Sequence, residues 1–472
     1  MLARLAHALS RILPSRPGVA DKVAPAFARS FEGAGAGRRL RGIADQPSSL
    51  GASLQARGTL ARRARGIVAN NAHAASAVEA WASALVGTGI KPQSPIPGLA
   101  EKFETWTDDA DADALTDFYG LQAAVVRSVI INGEAFVAMR DDGRIRQIDP
   151  EQIDPTITQD LGDGAHIVHG IEFDDKGRRV AYHVRRDAPG LPFGIGYETI
   201  RVPASQILHV FKPIFPGQIR GLSWFAPVLL RLTDYDRSVD AQLQRQLVAA
   251  LFAGFITDMN GTAGGFEGEQ QGSNLEGGLE PGTLKVLDPG QDVRFSDPAK
   301  VGAEVIDFLK ITAREIAAGL GVPYFVVTGD LSDANYSSLR AGLVEWRRRV
   351  EALQHSVFVF QFCRPVWRNF VNMRALGGDP TLGGYFQNPA AFTAAKWITP
   401  RFDWVDPAKD TKAETDAINA GLMSRRQAVA SRGDDIERLD AEIAEDQRRA
   451  TSLGLTFPNM TPGAANDDGA AP

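Results

Sequence analysis

Residues 336–360 read YSSLRAGLVEWRRRVEALQHSVFVF, and Leu339, Leu343, Trp346, Val350, Leu353, Val357 and Phe360 recur at alternating steps of four and three. That spacing keeps side chains on one face of an α-helix and cannot be met by a strand, whose faces alternate every second residue. It predicts one narrow apolar seam on a helix of at least 22 residues, roughly 33 Å long at 1.5 Å per residue. Pro365 should end or kink that helix, because proline has no N–H to give it.

Working outward, Thr328 to Tyr336 is turn chemistry, and a shorter helix from Glu304 to Leu320 is stopped by Gly321-Val322-Pro323. A third stripe, Phe225, Val228, Leu232, Tyr235, Val239, Leu243, Leu247 and Ala250, predicts a long helix from Ser223 to Ile256. Between these two helices lies a polar stretch with eight glycines from Asp258 to Gly282, followed by short strands at Leu284–Leu287 and Val293–Phe295.

Nearer the N-terminus, helical patterns run from Leu60 to Leu85 and from Phe118 to Ile131. Strands are expected at Ala135–Met139, Ile145–Ile148, His166–Phe173, Val180–Arg185 and Ile207–Phe211. Residues 56–220 therefore read as one α+β domain, and the first 55 as a mobile arm. Gly377 to Pro389 reads as a loop, Asp406 to Arg449 as a charged helical unit broken at Gly421 and Gly433, and the end of the chain as a disordered tail.

Composition narrows the function classes. The 472 residues carry 51 basic and 57 acidic side chains, for a formal net charge of −6, and no run approaches the ~18 apolar residues of a membrane helix. The single cysteine, Cys363, cannot form an internal disulfide. The charge is uneven: residues 1–70 hold twelve basic against three acidic residues, leaving −15 on the rest. A basic arm and an acidic body are different objects, and the acidic body argues against gripping nucleic acid over the whole surface.

No catalytic or metal-binding pattern emerges. None of the seven histidines falls in a metalloprotease spacing, and His166 and His169, three apart in an expected strand, should point to opposite faces. Asp109, Asp111 and Asp113 imitate the start of a calcium loop, but Ala114 replaces its glycine and Gly120 its bidentate glutamate. Gly33 to Gly37 lacks the strand and lysine of a phosphate cradle, and Cys363 sits in an apolar run as an ordinary buried thiol would. No cofactor and no metal is expected.

Several short segments, in one order, resemble the portal proteins of tailed bacteriophages, specifically the lambda-type portal family. They begin with Arg63-Ala-Arg65, Asn70-Asn71 and Val86-Gly-Thr-Gly-Ile-Lys-Pro92. Gly170-Ile-Glu172, Gly177-Arg178, Tyr182-His183, His209-Val-Phe211 and Pro216-Gly-Gln-Ile-Arg-Gly-Leu-Ser223 follow. The series ends with Glu280-Pro-Gly282, Leu287-Asp-Pro-Gly290, Gly321-Val-Pro323, Gly329-Asp-Leu-Ser332, Asn335-Tyr-Ser-Ser338 and Val405-Asp-Pro-Ala-Lys409.

The resemblance implies an α+β portal fold with wing, two-helix stem, clip, tunnel loop and helical crown, assembling as a ring of about twelve heterologously packed subunits. It maps residues 1–55 to the basic arm, 56–220 to the wing, 221–256 to the first stem helix and 257–303 to the clip. The second stem helix is then 304–323, the tunnel loop 324–337, the long helix and wing return 338–398, the crown 399–449 and the tail 450–472. The implied partners are double-stranded DNA passing through the ring, the terminase large subunit, the major capsid protein and scaffold, and head-completion adaptors, with no membrane. The implied place is the capsid portal vertex of the virion, after assembly in the host cytoplasm.

Within that plan Asp330, Ser332, Asp333, Asn335 and Tyr336 form the tunnel loop, and Asp330 and Asp333 are expected to face the channel. Lys310 and Arg314, at i and i+4 beside Asp307, could make one basic band there or simply a solvated helix face. Leu339, Leu343, Trp346, Val350 and Leu353 are candidates for contacts between subunits, with burial in the subunit's own core the favoured reading. Two other classes stay open. An α+β enzyme with a helical appendage predicts a pocket of convergent titratable groups, and a DNA-binding scaffold would use the basic residues Arg38 to Arg65.

Overall fold

The computed structural model describes residues 49–186, 198–250, 254–258, 269–271, 274–276, 291–295, 303–332, 335–400, 407–432 and 435–455. Contacts divide the chain at residue 52, and the described sheets all lie in the unit Ser53–Pro472. The first described helix, α1 (Ser49–Asn70), begins inside the stretch read from sequence as arm. The helix expected from Leu60 to Leu85 is two, because α1 gives way to α2 (Ala72–Leu85) at Asn71. The Asn71 carboxamide oxygen accepts from the Ala74 N–H at 2.7 Å, an N-cap worth about 1 kcal/mol. Its amide nitrogen donates to Asp236 at 2.6 Å, fixing the break to a distant helix.

β1 (Lys91–Gln93) and α3 (Leu99–Thr107) lead to α4 (Phe118–Asn132), which Asp117 caps and Gly133 closes in the left-handed region at φ 90°. The strands β2 (Glu134–Met139), β3 (Ile145–Ile148) and β9 (Ile207–Phe211) form an antiparallel sheet with β2 central. Successive β2 residues serve opposite faces. Ala135 and Val137 enter the main core, and Phe136 enters a smaller one with Ile148, Ile153, Ile171, Phe173, Tyr182, Val184 and Ile207.

The other strands, β4 (Gln159–Gly162), β5 (Ala165–Val168), β6 (Ile171–Phe173), β7 (Arg179–Arg185) and β8 (Thr199–Pro203), form a five-stranded antiparallel meander. The single strand expected over His166–Phe173 is therefore a hairpin, turned by His169 at φ 48° and Gly170 at φ 78°. His166 stacks on Phe173 at 5.3 Å while His169 occupies the turn, so the two never share a strand.

The helix expected from Ser223 to Ile256 is shorter: α5 spans Leu229–Ala250. Ahead of it Ser223 accepts from the Phe225 N–H at 3.2 Å, and Phe225 to Val228 make a turn around Pro227. Past it, Phe255 and Ile256 belong to β10 (Gly254–Asp258), the extended choice favoured by aromatic and β-branched residues. After the small hairpin of β11 (Glu269–Gln271) and β12 (Asn274–Glu276), β10 pairs with β13 (Gln291–Phe295), which contains the expected strand Val293–Phe295. The strand expected at Leu284–Leu287 lies outside the described residues. α6 (Ala303–Leu320) comes next, and then α7 (Tyr324–Thr328), a helix where a loop was expected, begun by Pro323 and closed by Gly329 at φ 70°.

The seam helix starts at an Asn335–Ser338 capping box and runs as α8 (Tyr336–Leu353). It neither ends nor breaks before Pro365, because residues Gln354–Cys363 are π-helical and α9 (Arg364–Leu376) continues from them. The π turn interrupts the regular i to i−4 ladder just ahead of the residue that has no N–H to give to it. The same turn shifts the seam's phase. Trp346, Val350, Leu353 and Val357 are buried, but Phe360 is 61% exposed while Phe358 and Phe362 turn inward. Gln354 pins the π segment to the end of α2 by donating to the Ala84 and Leu85 carbonyls, and Gln361 accepts from the Phe211 N–H at 2.9 Å on β9.

The chain then passes through α10 (Pro389–Phe392) and β14 (Lys396–Ile398), which pairs with β1, to α11 (Pro407–Asn419), α12 (Arg425–Ser431) and α13 (Ile436–Ser452). The break expected at Gly421 is present; Gly433 and the residues beyond 455 lie outside the described residues. Among the described residues no helix is long and apolar enough to cross a membrane.

Candidate functional site

Four of the residues singled out by sequence meet where α6, α7 and the turn after it converge. Asp330 accepts from the Tyr324 hydroxyl at 2.9 Å and from the Ser332 N–H at 3.0 Å. The Ser332 and Tyr324 hydrogen bonds, with help from the Lys310 charge, hold the Asp330 carboxyl down at about 2. Burial, and then the hydrogen bond to Asp330, push the Tyr324 hydroxyl up, and the Arg314 guanidinium lies over the Tyr324 ring at 5.4 Å. Lys310 and Arg314 of α6 thus lie beside a carboxylate that is ionised at neutral pH, so this corner carries both signs of charge.

The other loop residues divide. Ser332 is exposed, and beside it Leu331 is 56% exposed. Asn335 is occupied as the cap of α8, which gives it a structural task. Asp333 and the Tyr336 side chain lie outside the described residues. Of the seam candidates, Trp346, Val350 and Leu353 are sealed in the chain's own core, and Leu339 and Leu343 are half-buried.

The pair α5 and α6 presents a different surface. Arg231 of α5 and Glu315 of α6 pair at 3.3 Å near their common end, and Thr312, Ala313, Ile316, Ala317 and Leu320 are buried. Farther along, Leu243 and Leu247 of α5 and Ile306, Phe308 and Ile311 of α6 are each at least half exposed. Burying one such side chain is worth about 1.5–3 kcal/mol. Among the described residues nothing covers these side chains, and that many bare apolar residues on two helices mark a contact surface.

Sequence reasoning missed one cluster altogether. Glu134, at the start of β2, is fully buried and meets Arg220 through its Nε and Nη2, Arg57 of α1 at 2.9 Å, His209 of β9 at 3.0 Å and the Gly221 N–H at 2.8 Å. Arg220 also donates to the His169 and Pro150 carbonyls. Burial opposes the Glu134 charge, but Arg220, His209 and Arg57 outweigh it and hold the carboxyl well below the usual carboxylate range. Burial drives His209 down to about 4 against the pull of Glu134, so the ring is neutral and donates to the carboxylate. The backbones at Gly133 and Gly221 touch so closely that a Cβ on Gly221 would lie 2.1 Å from the Gly133 carbonyl oxygen. The available signal was the run Pro216 to Ser223, whose Gln218, Arg220 and Gly221 lock this joint.

The remaining conspicuous residues are structural too. Asp111 accepts from the N–H groups of Asp113, Leu115 and Thr116, and Asp113 pairs with Arg146, so the calcium-like aspartates shape the turn before α4. Cys363 is buried, and burial pushes its thiol up. Among the described residues no group of histidine, cysteine and carboxylate side chains could hold a metal ion.

With this geometry in place, comparison with known proteins is specific. Residues 36–354 match the family described as phage portal protein, lambda family. The portal protein of Escherichia phage N15 is 26% identical over 90% of this chain and 91% of its own length. Portal protein B of Escherichia phage lambda is 25% identical, over 90% of each chain. Among solved structures, a chain in the neck of an empty gene transfer agent particle is 16% identical, with a TM-score of 0.47 over 85% of this chain and 94% of that one. Since the family match spans well over half of its residues, the chain belongs to the lambda family of phage portal proteins.

Proposed function

We propose that this portal protein acts, without catalysis, as one subunit of a ring of about twelve at a single capsid vertex, through which double-stranded DNA enters and leaves. In this reading α5 and α6 are the stem, residues 257–303 the clip, residues 324–337 the tunnel loop and residues 399–449 the crown. The terminase large subunit and head-completion adaptors meet the clip, and the major capsid protein and scaffold meet the wing, residues 56–220. Assembly takes place in the host cytoplasm and the finished ring resides in the virion.

The observation that carries the reading is the bare apolar surface of α5 and α6, where Leu243, Leu247, Phe308 and Ile311 await a neighbour. In a closed ring each subunit's front covers the next one's back, so such a surface is satisfied by copies of the same chain. A channel must let phosphates slide, and every fixed cation that neutralises one adds affinity. Lys310 and Arg314 set beside the ionised Asp330 form a band that offsets its own attraction. Negative-stain images and native mass measurement of the purified protein should show a ring of about twelve copies with a channel of duplex width. A stable monomer or dimer would sink the proposal.

A further inference from the structure

A groove lies between α9 and the segment 389–398. It is a recess of about 240 Å³, lined by Arg364, Trp367, Arg368, Thr393 and Trp397. Its exposed lining is more polar than apolar. Trp367 is buried beneath it and spends its indole N–H on the Thr393 carbonyl at 3.1 Å, so the half-buried Trp397 is the tryptophan open to the groove. Along the rim, Arg364 and Arg368 stand one helical turn apart, both exposed, and among the described residues neither is paired with a carboxylate. One turn earlier is Phe360, 61% exposed, with the Arg364 guanidinium 6.0 Å from its ring. The π segment is what places it there, since an uninterrupted seam would have turned it inward.

We infer that this groove docks an acidic peptide segment of a partner protein, with carboxylates on Arg364 and Arg368 and one aromatic or aliphatic side chain set against Trp397. Guanidinium forks match carboxylates bidentately, and tryptophan, phenylalanine and arginine are the residues that anchor interfaces. Size and charge together select the occupant. A recess of 240 Å³ accepts one or two side chains and excludes a DNA duplex, and its rim carries two positive charges with no carboxylate among the described residues to answer them. The groove belongs to a single chain, so its test is independent of whether the ring forms.

The probe is a fluorescein-labelled glutamate-rich peptide with one central phenylalanine, titrated with the full-length protein at two salt concentrations. Binding should be saturable, weaken with salt and alter tryptophan emission. Replacing both arginines, Arg364→Ala with Arg368→Ala, should weaken it about tenfold or more. Arg364→Lys with Arg368→Lys should restore part of the loss, because charge returns without the fork. A lysine-rich peptide of the same length should fail to bind the unaltered protein, a control that needs no variant. Equal binding by the double-alanine protein would overturn the inference, as would displacement of the peptide by duplex DNA more readily than by unlabelled peptide.

Discussion

The joint around Glu134 and the helix pair α5–α6 invert the usual arrangement in opposite senses. At the joint, charges are inside: Glu134, Arg220 and Arg57 are all buried, and every one of them is answered from within the chain. On the helix pair, apolar side chains are outside, with Phe308 59% and Ile311 62% exposed. Among the described residues the first region is completed from within the chain and the second is left bare. Folding and assembly should therefore respond to different mutations.

The largest effect on folding is expected at the joint. Glu134→Ala strands two buried guanidiniums, and breaking a buried pair in this way costs about 3–5 kcal/mol. Urea unfolding should show that loss before any ring forms, and a change below about 1 kcal/mol would mean the cluster is poorly coupled to the fold.

Acid should produce a smaller effect at the same joint. The His209 imidazole sits at about 4 in the folded chain against 6.5 for a free one. The unfolded chain therefore takes up the proton first. Stability from this group is full above pH 6.5 and is lost as pH falls from there toward 4. His209→Gln keeps a donor for Glu134 without a titrating ring, so its melting temperature should vary less over that window. An unchanged pH profile would remove His209 from the account.

The smallest effect on folding, and the largest on assembly, belongs to α6. Phe308→Asp should change the unfolding free energy of the isolated subunit by no more than a surface substitution does, about 0.5 kcal/mol, while abolishing rings in electron micrographs. Rings that persist would show that the bare apolar row is not the contact.

The same division explains what could be read from the sequence. Residue spacing is local, so the seam from Leu339 to Val357, helix α4 and the strands β3 and β9 are legible from periodicity alone. The Glu134 cluster is not, because Arg57 and Arg220 reach it from 77 and 86 residues away. No periodicity records a pairing at that distance. The π segment is hidden for another reason: Val357 to Cys363 is apolar on almost every face, so the pattern has no phase to lose. The end of α5 is misplaced because Phe255 and Ile256 extend a helical stripe as well as they begin a strand. In the candidate channel corner, Asp330, Lys310 and Arg314 stand out individually, but Tyr324, the ring that joins them, lies in a segment that reads as loop.

The π segment, finally, separates chain length from fit. Had the helix stayed regular through Pro365, any one-residue insertion or deletion along it would rotate everything downstream by about 100°. Residues 354–363 already accommodate surplus backbone between two well-packed stretches. A homologue lacking one residue here could tighten to an ordinary helix and still present α9 to the same neighbours. The segment acts as slack in a long member of the subunit, between two packed stretches that a shared rigid helix would otherwise tie together in phase.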